Sequence, residues 1–403
     1  MTTTSPIGEY AEKAEAWLSE HAERRAPQGE LQWGVGADSV AVFSNMSIEQ
    51  ERACIEELRA WQRLKSDAGY GSISWPVEFG GAGLPRAYER EFSRLERMFV
   101  TPPPHEAVTI SLNIEAPTIL ELGSTAQKQR WLASLRRTDE LCCQLFSEPS
   151  AGSDLGSISL RAERDGDAWV VNGQKVWTSG AQHADVGYLI ARTDTTAPRQ
   201  TALTAFLVDM RSPGVEVRPL RQMSGGSSFN EVFFTDVRIP DDDRVGDVGA
   251  GWRAMMTTLG FERAARTGGT AGPDLFGRLL LLARHLGRER DPVVRQLLAD
   301  VYVERTVRSL TARRAAAGSA AGRVPGPEGS LAKLASSNWL QQMSHAASVL
   351  LGPRLAADTG EWGTYAWAEL VNGAPGMRIG GGTDEIQRNT LAERFLGLPR
   401  EPR

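Results

Sequence analysis

Ala168-Trp-Val-Val-Asn-Gly-Gln-Lys-Val-Trp-Thr178 is the stretch in which the hydrophobic period of this chain changes from helical to two. Apolar and polar residues alternate on both sides of Asn172-Gly173. That pair supplies the positive φ angles of a type I′ turn, so the stretch reads as a β-hairpin. The same period continues through Val186 to Arg192, Ala202 to Val208, Val215 to Pro219 and Glu231 to Ile239, punctuated by Pro213-Gly214 and Pro240-Asp241. Residues 141–245 are expected to form a β-domain.

On either side the period is that of helices. Ile48, Cys54, Ile55, Leu58, Trp61 and Leu64 recur mostly three and four residues apart, and a loop of Trp75-Pro-Val-Glu-Phe-Gly-Gly-Ala-Gly83 follows. Helices resume over Ala87 to Phe99, Glu115 to Leu122 and from Thr125, with Ser124 or Thr125 as N-cap. After Gly251 the expected helices are Trp252 to Thr267, Asp274 to Arg288, Pro292 to Ala316, Ser330 to Leu351 and Asp384 to Leu396. The layout is therefore α+β: an N-terminal helical domain over 1–140, the middle β-domain over 141–245 and a C-terminal helical domain over 246–403. A length of 403 residues suits two or three domains.

Composition narrows the chemistry. Fifty acidic against 45 basic residues leave a net charge of -5, which argues against a general nucleic-acid or anionic-membrane binder. Five of the basic residues are Lys and the rest Arg. Three cysteines, without a C-x-x-C spacing, exclude a disulfide scaffold and a cysteine-held metal. His21, His105, His183, His285 and His345 form no helical or hairpin ligand pair, so no metal is expected. Met1 to Pro6 has no basic-then-apolar pattern and no apolar run approaches ~20 residues. The expectation is a cytoplasmic chain. There is no G-x-S-x-G elbow, Walker loop or G-x-G-x-x-G after a strand.

Three stretches carry chemistry. Gln144-Leu-Phe-Ser-Glu-Pro-Ser-Ala-Gly-Ser-Asp154 joins hydroxyls to small residues that let a ligand approach backbone N–H groups. Lys175-Val-Trp-Thr-Ser-Gly180 puts a large aromatic beside hydroxyls at a strand end. Gly380-Gly-Gly-Thr-Asp-Glu-Ile-Gln-Arg388 feeds a glycine run into a helix N-terminus, which suits an anionic or carbonyl ligand. With Phe229-Asn-Glu-Val-Phe-Phe-Thr-Asp-Val237, and in this order over residues 40 to 400, they resemble the acyl-CoA dehydrogenase family of flavoproteins.

The resemblance implies an N-terminal helical domain, a middle β-barrel or sandwich and a C-terminal four-helix bundle, with FAD held between the β-domain and the C-terminal helices. Phe146, Ser147 and Ser153 would line the flavin and pyrophosphate. Trp177 would cover a face of the ring, Thr178 and Ser179 would bond its polar edge, and Gly381, Gly382, Thr383 and Glu385 would reach its other side. The family removes a Cα proton from an acyl thioester and passes a Cβ hydride to the flavin.

Most members carry the base in a Glu-Gly-Thr ahead of the last helix, where this chain has Gly381. Isovaleryl- and long-chain-type members keep it instead where Leu259-Gly-Phe-Glu-Arg263 stands here. The resemblance therefore implies Glu262 as base, Arg263 as a positioning residue and the Gly381 N–H as thioester donor. Two segments that other members donate across subunits are replaced by Leu286-Gly-Arg-Glu-Arg-Asp-Pro292 and Val349-Leu-Leu-Gly-Pro353. The implied partners are an acyl-CoA, an electron-transfer flavoprotein, and either copies of the chain in a homotetramer or a related subunit in an α2β2 tetramer. The implied setting is fatty-acid or sterol side-chain degradation. Alternatives on the same fold are a non-catalytic or half-site partner subunit and a flavin monooxygenase or oxidase.

Overall fold

Serine followed three residues later by glutamine occurs at two helix starts, and both close into capping boxes: Ser47 with Gln50, and Ser124 with Gln127. They begin the second and the last of six helices in the N-terminal segment. These are α1 (Pro6–His21), α2 (Ile48–Asp67), α3 (Arg86–Glu96), α4 (Glu106–Ile110), α5 (Ala116–Leu122) and α6 (Thr125–Arg137). The computed structural model describes residues 5–26, 29, 31–267, 274–320 and 328–400. They divide into two units, the first of Met1–Gln28, Met46–Leu220 and Ser227–Glu262, the second of Gly29–Asn45, Arg221–Gly226 and Arg263–Arg403.

In the first unit the N-terminal helices lead into eight strands: β1 (Cys142–Leu145), β2 (Arg161–Asp165), β3 (Ala168–Ser179), β4 (Val186–Arg192), β5 (Leu203–Asp209), β6 (Val215–Leu220), β7 (Phe229–Pro240) and β8 (Arg244–Val245). They form one sheet in the order β6-β7-β3-β2-β4-β5-β8, with β1 parallel to β4. The sheet curls round a core drawn almost wholly from its own strands, including Leu145, Val171, Leu189, Phe206 and Phe234. The outer face of β4 and β5 packs Tyr188, Ile190, Ala205 and Leu207 with Ile119, Leu132 and Met255 of the helices. Alternate residues of a strand point to opposite faces, so β4 serves both cores. Its residues are buried on both faces, which is why Val186 to Ala191 is continuously apolar apart from Gly187 and Tyr188.

The Asn172-Gly173 hairpin is overturned. The turn lies at Gly166 (φ 65°), between β2 and β3, and β3 runs straight through Asn172-Gly173. There the strand carries an irregularity against β7, with Gly173 at φ 143°. Asn172 exchanges hydrogen bonds with Asp236: its Nδ2 donates to Oδ1 at 3.0 Å, and its Oδ1 accepts from the Asp236 N–H at 2.9 Å. Two turn-forming pairs compete within a few residues, and pairing with β7 along nearly all of β3 decides between them.

The helix read from Glu115 to Leu122 is the end of a longer run. Between α4 and α5 the helix widens into a π-helical turn, Ser111–Glu115. α7 (Gly251–Thr267) follows the sheet, and its residues up to Glu262 belong to the first unit.

The second unit contains α8 (Leu275–His285), α9 (Pro292–Ala320), α10 (Glu328–Leu351), α11 (Ala366–Gly373) and α12 (Asp384–Arg394). α8, α9 and α10 pack side by side and α12 adds a fourth helix against α10. Leu279, Leu282, Val294, Val301, Trp339, Met343 and Trp367 form the core. The short α11 has no counterpart in the helical periodicity read above. Among the described residues no helix is long and apolar enough to cross a membrane.

Gly187 shows how tightly the strand core closes. A Cβ there would stand 2.3 Å from Leu145 Cδ1 and 2.9 Å from Met210 Sδ. Gly187→Ala is expected to destabilise the protein by about 1–3 kcal/mol, read as a lower urea midpoint at unchanged slope.

Candidate active site

The loop from Phe146 to Asp154 is held from beneath by a buried ion pair. Lys175 on β3 has no exposed surface, and its Nζ donates to Glu148 Oε1 at 2.8 Å and to the Phe146 carbonyl at 3.0 Å. Glu148 Oε2 accepts from the Ser159 N–H and hydroxyl, each at 2.7 Å, and Oε1 from the Leu160 N–H at 3.0 Å. Burial opposes charge on both partners. It draws the Lys175 ammonium down to about 8, while the Lys175 charge and the surrounding donors outweigh burial at Glu148 and hold its carboxyl low. Phe146 is buried, Ser147 half-buried and Ser153 exposed. The loop is thereby fixed from below and open above.

The next candidate residues follow on the same strand. The pairing of β3 with β7 shifts register between Lys175 and Thr178, and Trp177 in that bulge has a positive φ of 61°. A tryptophan in the left-handed region is strained, and such strain gathers at functional sites. The residue is 62% exposed, and its ring meets Phe229 edge-on with centroids 6.0 Å apart. Trp177 is therefore not a core residue. Thr178, beside it, is buried, and its hydroxyl has no hydrogen-bond partner among the described residues. Ser179 is half-buried. An exposed aromatic face beside an unpartnered hydroxyl fits a flat ring with a polar edge, as FAD has.

Behind this edge lies a network that the sequence concealed. Asn230 Nδ2 donates to the Thr178 carbonyl at 3.0 Å and to Gln182 Oε1. Gln182 Nε2 donates to Glu51 Oε2 at 3.1 Å, and His183 Nε2 meets the same oxygen at 2.9 Å. His105 Nε2 stands 3.9 Å from Glu51 Oε1. The two histidines, far apart in sequence, thus converge on one buried carboxylate within metal-ligand separations. His105 Nδ1 caps α4 by accepting the Ala107 N–H at 3.2 Å, so the ring proton sits on Nε2, facing Glu51. With its proton there, His105 turns an N–H, not a lone pair, toward the carboxylate. Burial raises the Glu51 carboxyl, but His105, His183 and Gln182 outweigh it and hold it at about 2.

Glu262, half-buried on α7, exerts its charge on Glu115 at the end of the π-helical turn. Glu115 is wholly buried, and neither carboxylate oxygen has a hydrogen-bond partner among the described residues. Burial, and then the Glu262 charge, push its carboxyl far above the usual range. Sequence reasoning missed Glu115, because nothing in a helical period marks a π turn or predicts a wholly buried acid. Arg263, next to Glu262, is exposed.

In the second unit Gly381 and Gly382 have φ of 70° and 86°, which suits glycine and turns the chain into α12. Thr383 is the N-cap, accepting the Ile386 N–H at 3.2 Å. Asp384 is buried between Lys333 (2.7 Å) and Arg378 (2.8 Å), while Glu385 is exposed with Arg388 3.4 Å away. Asp384 therefore anchors the glycine loop. Arg288, in the segment Leu286 to Pro292, is turned onto its own chain: it donates to the Val349 carbonyl at 2.8 Å and pairs with Asp291 at 2.7 Å.

The comparisons agree on all three parts of the chain. Residues 38–139, 143–237 and 249–396 match the family models described as the N-terminal, middle and C-terminal domains of acyl-CoA dehydrogenase. The chain is 38% identical over 361 residues to acyl-CoA dehydrogenase IpdE1 of Mycobacterium tuberculosis, covering 87% of this chain and 91% of that one. Among solved structures it is similar to the ChsE4-ChsE5 complex from Mycobacterium tuberculosis, at 25% identity, TM-score 0.72 and full coverage of both chains. The Tcur3481-Tcur3483 steroid ACAD shares the fold, at 24% identity, TM-score 0.73 and 98% coverage of each chain.

Two measurements check these buried groups. Lys175→Met leaves Glu148 buried without its cation and is expected to cost about 3–5 kcal/mol of unfolding free energy, together with bound flavin. Glu51, at about 2 in the folded state against an ordinary 4.5, contributes about 3 kcal/mol above pH 4.5. A depressed carboxyl loses that contribution as pH falls through its folded value. The stability gap between wild type and Glu51→Gln is therefore expected to be constant above pH 4.5 and to shrink steadily toward pH 2.

Proposed function

The chain belongs to the acyl-CoA dehydrogenase family of flavin-dependent oxidoreductases, and from that premise we propose that it α,β-dehydrogenates an acyl-CoA thioester with Glu262 as the base. The observation that carries this reading is a half-buried Glu262 on α7, whose charge acts on the wholly buried Glu115. A half-buried carboxylate is open enough to meet a substrate proton, which is what a general base requires. Glu262 takes the Cα proton onto a carboxylate oxygen, and the electrons of that C–H bond become the Cα–Cβ double bond as a hydride leaves Cβ. FAD, when bound, supplies the hydride acceptor.

The residues of this chain hold and orient. Trp177 presents a ring face, Thr178 and Ser179 present hydroxyls to a polar edge, and Phe146, Ser147 and Ser153 line the loop pinned by Lys175 and Glu148. The glycines ahead of α12, with Thr383 and Glu385, offer backbone N–H groups and a capped helix start. The Gly381 N–H suits the thioester oxygen, where enolate charge develops. Arg263 positions the acyl-CoA. The steroid acyl-CoA dehydrogenase among the similar structures supports a bulky polycyclic or branched acyl group, and electron-transfer flavoprotein as the oxidant of the reduced cofactor follows from the family.

A second reading, a subunit of a hetero-oligomer, is favoured by Arg288. It is engaged with Val349 and Asp291 in the two segments that family members use to complete a neighbour's cofactor site. The similarity to a ChsE4-ChsE5 complex supports the same arrangement, with this chain as the member that carries the base.

Anaerobic titration with acyl-CoA thioesters tests the reaction. Glu262→Gln is expected to retain bound flavin while its bleaching by substrate falls by at least a factor of about 10³. Normal bleaching in that variant would remove Glu262 from the mechanism. One FAD per chain with activity in a homogeneous preparation would overturn the hetero-oligomeric reading.

A further inference from the structure

Glu115 is costly where it stands. A π-helical turn is a poorer helix than the α-helical run it interrupts, and such turns gather at functional sites. This one, Ser111–Glu115, ends on an acid with no exposed surface and no hydrogen bond to either oxygen among the described residues. A buried carboxyl without a partner destabilises a fold, because it has lost water and gained nothing. Among the described residues no cation acts on it. Tyr188, Cys142 and Cys143 are buried and uncharged, and the charge that acts on Glu115 is that of Glu262.

Two buried acids in the same unit are treated in opposite ways. Glu148 receives an ammonium and three further donors, whereas Glu115 receives none. A neutral carboxylic acid has one O–H donor, and in an apolar wall that donor is unspent until a ligand brings an acceptor. The acceptor is uncharged, since an anionic group would meet the repulsion of Glu262. It belongs to the acyl end of the substrate, since the phosphates and adenine of CoA need cations and water that a wholly buried acid cannot share.

We propose that Glu115 donates a hydrogen bond to an uncharged oxygen, a ketone or a hydroxyl, on the acyl group of the thioester that Glu262 deprotonates. The enzyme then selects oxygen-bearing acyl chains over plain hydrocarbon ones. Discrimination comes from the unmet donor: a hydrocarbon chain leaves Glu115 unpartnered in the complex, and a site built for a hydrogen bond rejects the analogue that lacks it. This inference rests on Glu262 as the base.

The test is a ratio, measured on the flavin-loaded enzyme with its partner subunit if it has one. The probes are plain acyl-CoA thioesters and thioesters of equal carbon number carrying a ketone or hydroxyl at successive positions beyond Cβ. For the best-placed oxygen, kcat/KM in wild type is expected to exceed that of the plain thioester at least tenfold. Glu115→Leu is expected to bring the ratio near one, and Glu115→Gln, which keeps an N–H donor, to preserve most of it. Glu115→Leu is also expected to melt no lower than wild type, since it removes an unpartnered buried acid. Should it not fold, Glu115→Met gives the same reading.

No oxygen preference at any position in wild type, or an equal preference in Glu115→Leu, overturns the proposal and leaves Glu115 a buried acid satisfied by water. Glu262→Gln separates the two readings. Normal bleaching in that variant with both thioesters removes the base and with it this inference, whereas lost bleaching there beside an unchanged ratio in Glu115→Leu removes only the hydrogen bond.

Discussion

The ion pair between Lys175 and Glu148 decides where everything at this site can be. Lys175 belongs to a strand and Glu148 to the loop above it, so one contact ties the loop's height to the sheet. The ammonium also accounts for the Phe146 carbonyl, and the carboxylate accounts for the donors of Ser159 and Leu160. With every lone pair occupied, the pair tolerates full burial that would otherwise be prohibitive. The bulge two residues further along β3 can then hold Trp177 in a strained backbone, because Lys175 is immovable on one side and Thr178 is buried on the other. Strain persists where its neighbours over-determine it.

The fold was largely legible, and for a physical reason. Period and capping are local signals, and most elements here obey them: Ser124 and Thr383 cap their helices, and the strands fall where apolar runs alternate. The failures are also physical. Asn172-Gly173 carries a hairpin's chemistry, but pairing with β7 draws the chain straight through it and leaves the turn to Gly166. The convergence of Glu51, His105 and His183 joins α2, the start of α4 and the turn after β3, and no spacing rule spans such distances. Glu115 ran against the expectation that acids lie outside. The chemistry of Trp177 was readable, yet only the backbone shows that its exposure comes from a bulge.

Buried acids divide this molecule into parts that hold and parts that wait. Glu51, Glu148 and Asp384 are each surrounded by donors or cations, and each fixes a segment: the strand end behind Thr178, the loop over β3 and the turn into α12. Charges buried in this way cannot be moved one partner at a time, so these segments hold their shape as ligands come and go. Glu115, with no such cage, keeps its hydrogen-bonding capacity in reserve.

Reactive amines are correspondingly scarce. Of the five lysines, Lys175 has no exposed surface, Lys333 is tied to Asp384 and the Arg378 carbonyl, and Lys65 lies against Glu96. Lys13 is exposed and Lys128 half-buried, while the many arginines stay protonated and are poor nucleophiles. An amine-directed acylating reagent therefore marks the outside of the folded protein at few places. Label at Lys175 registers the moment at which the sheet itself has opened, so one residue's silence reports the integrity of the whole β-core.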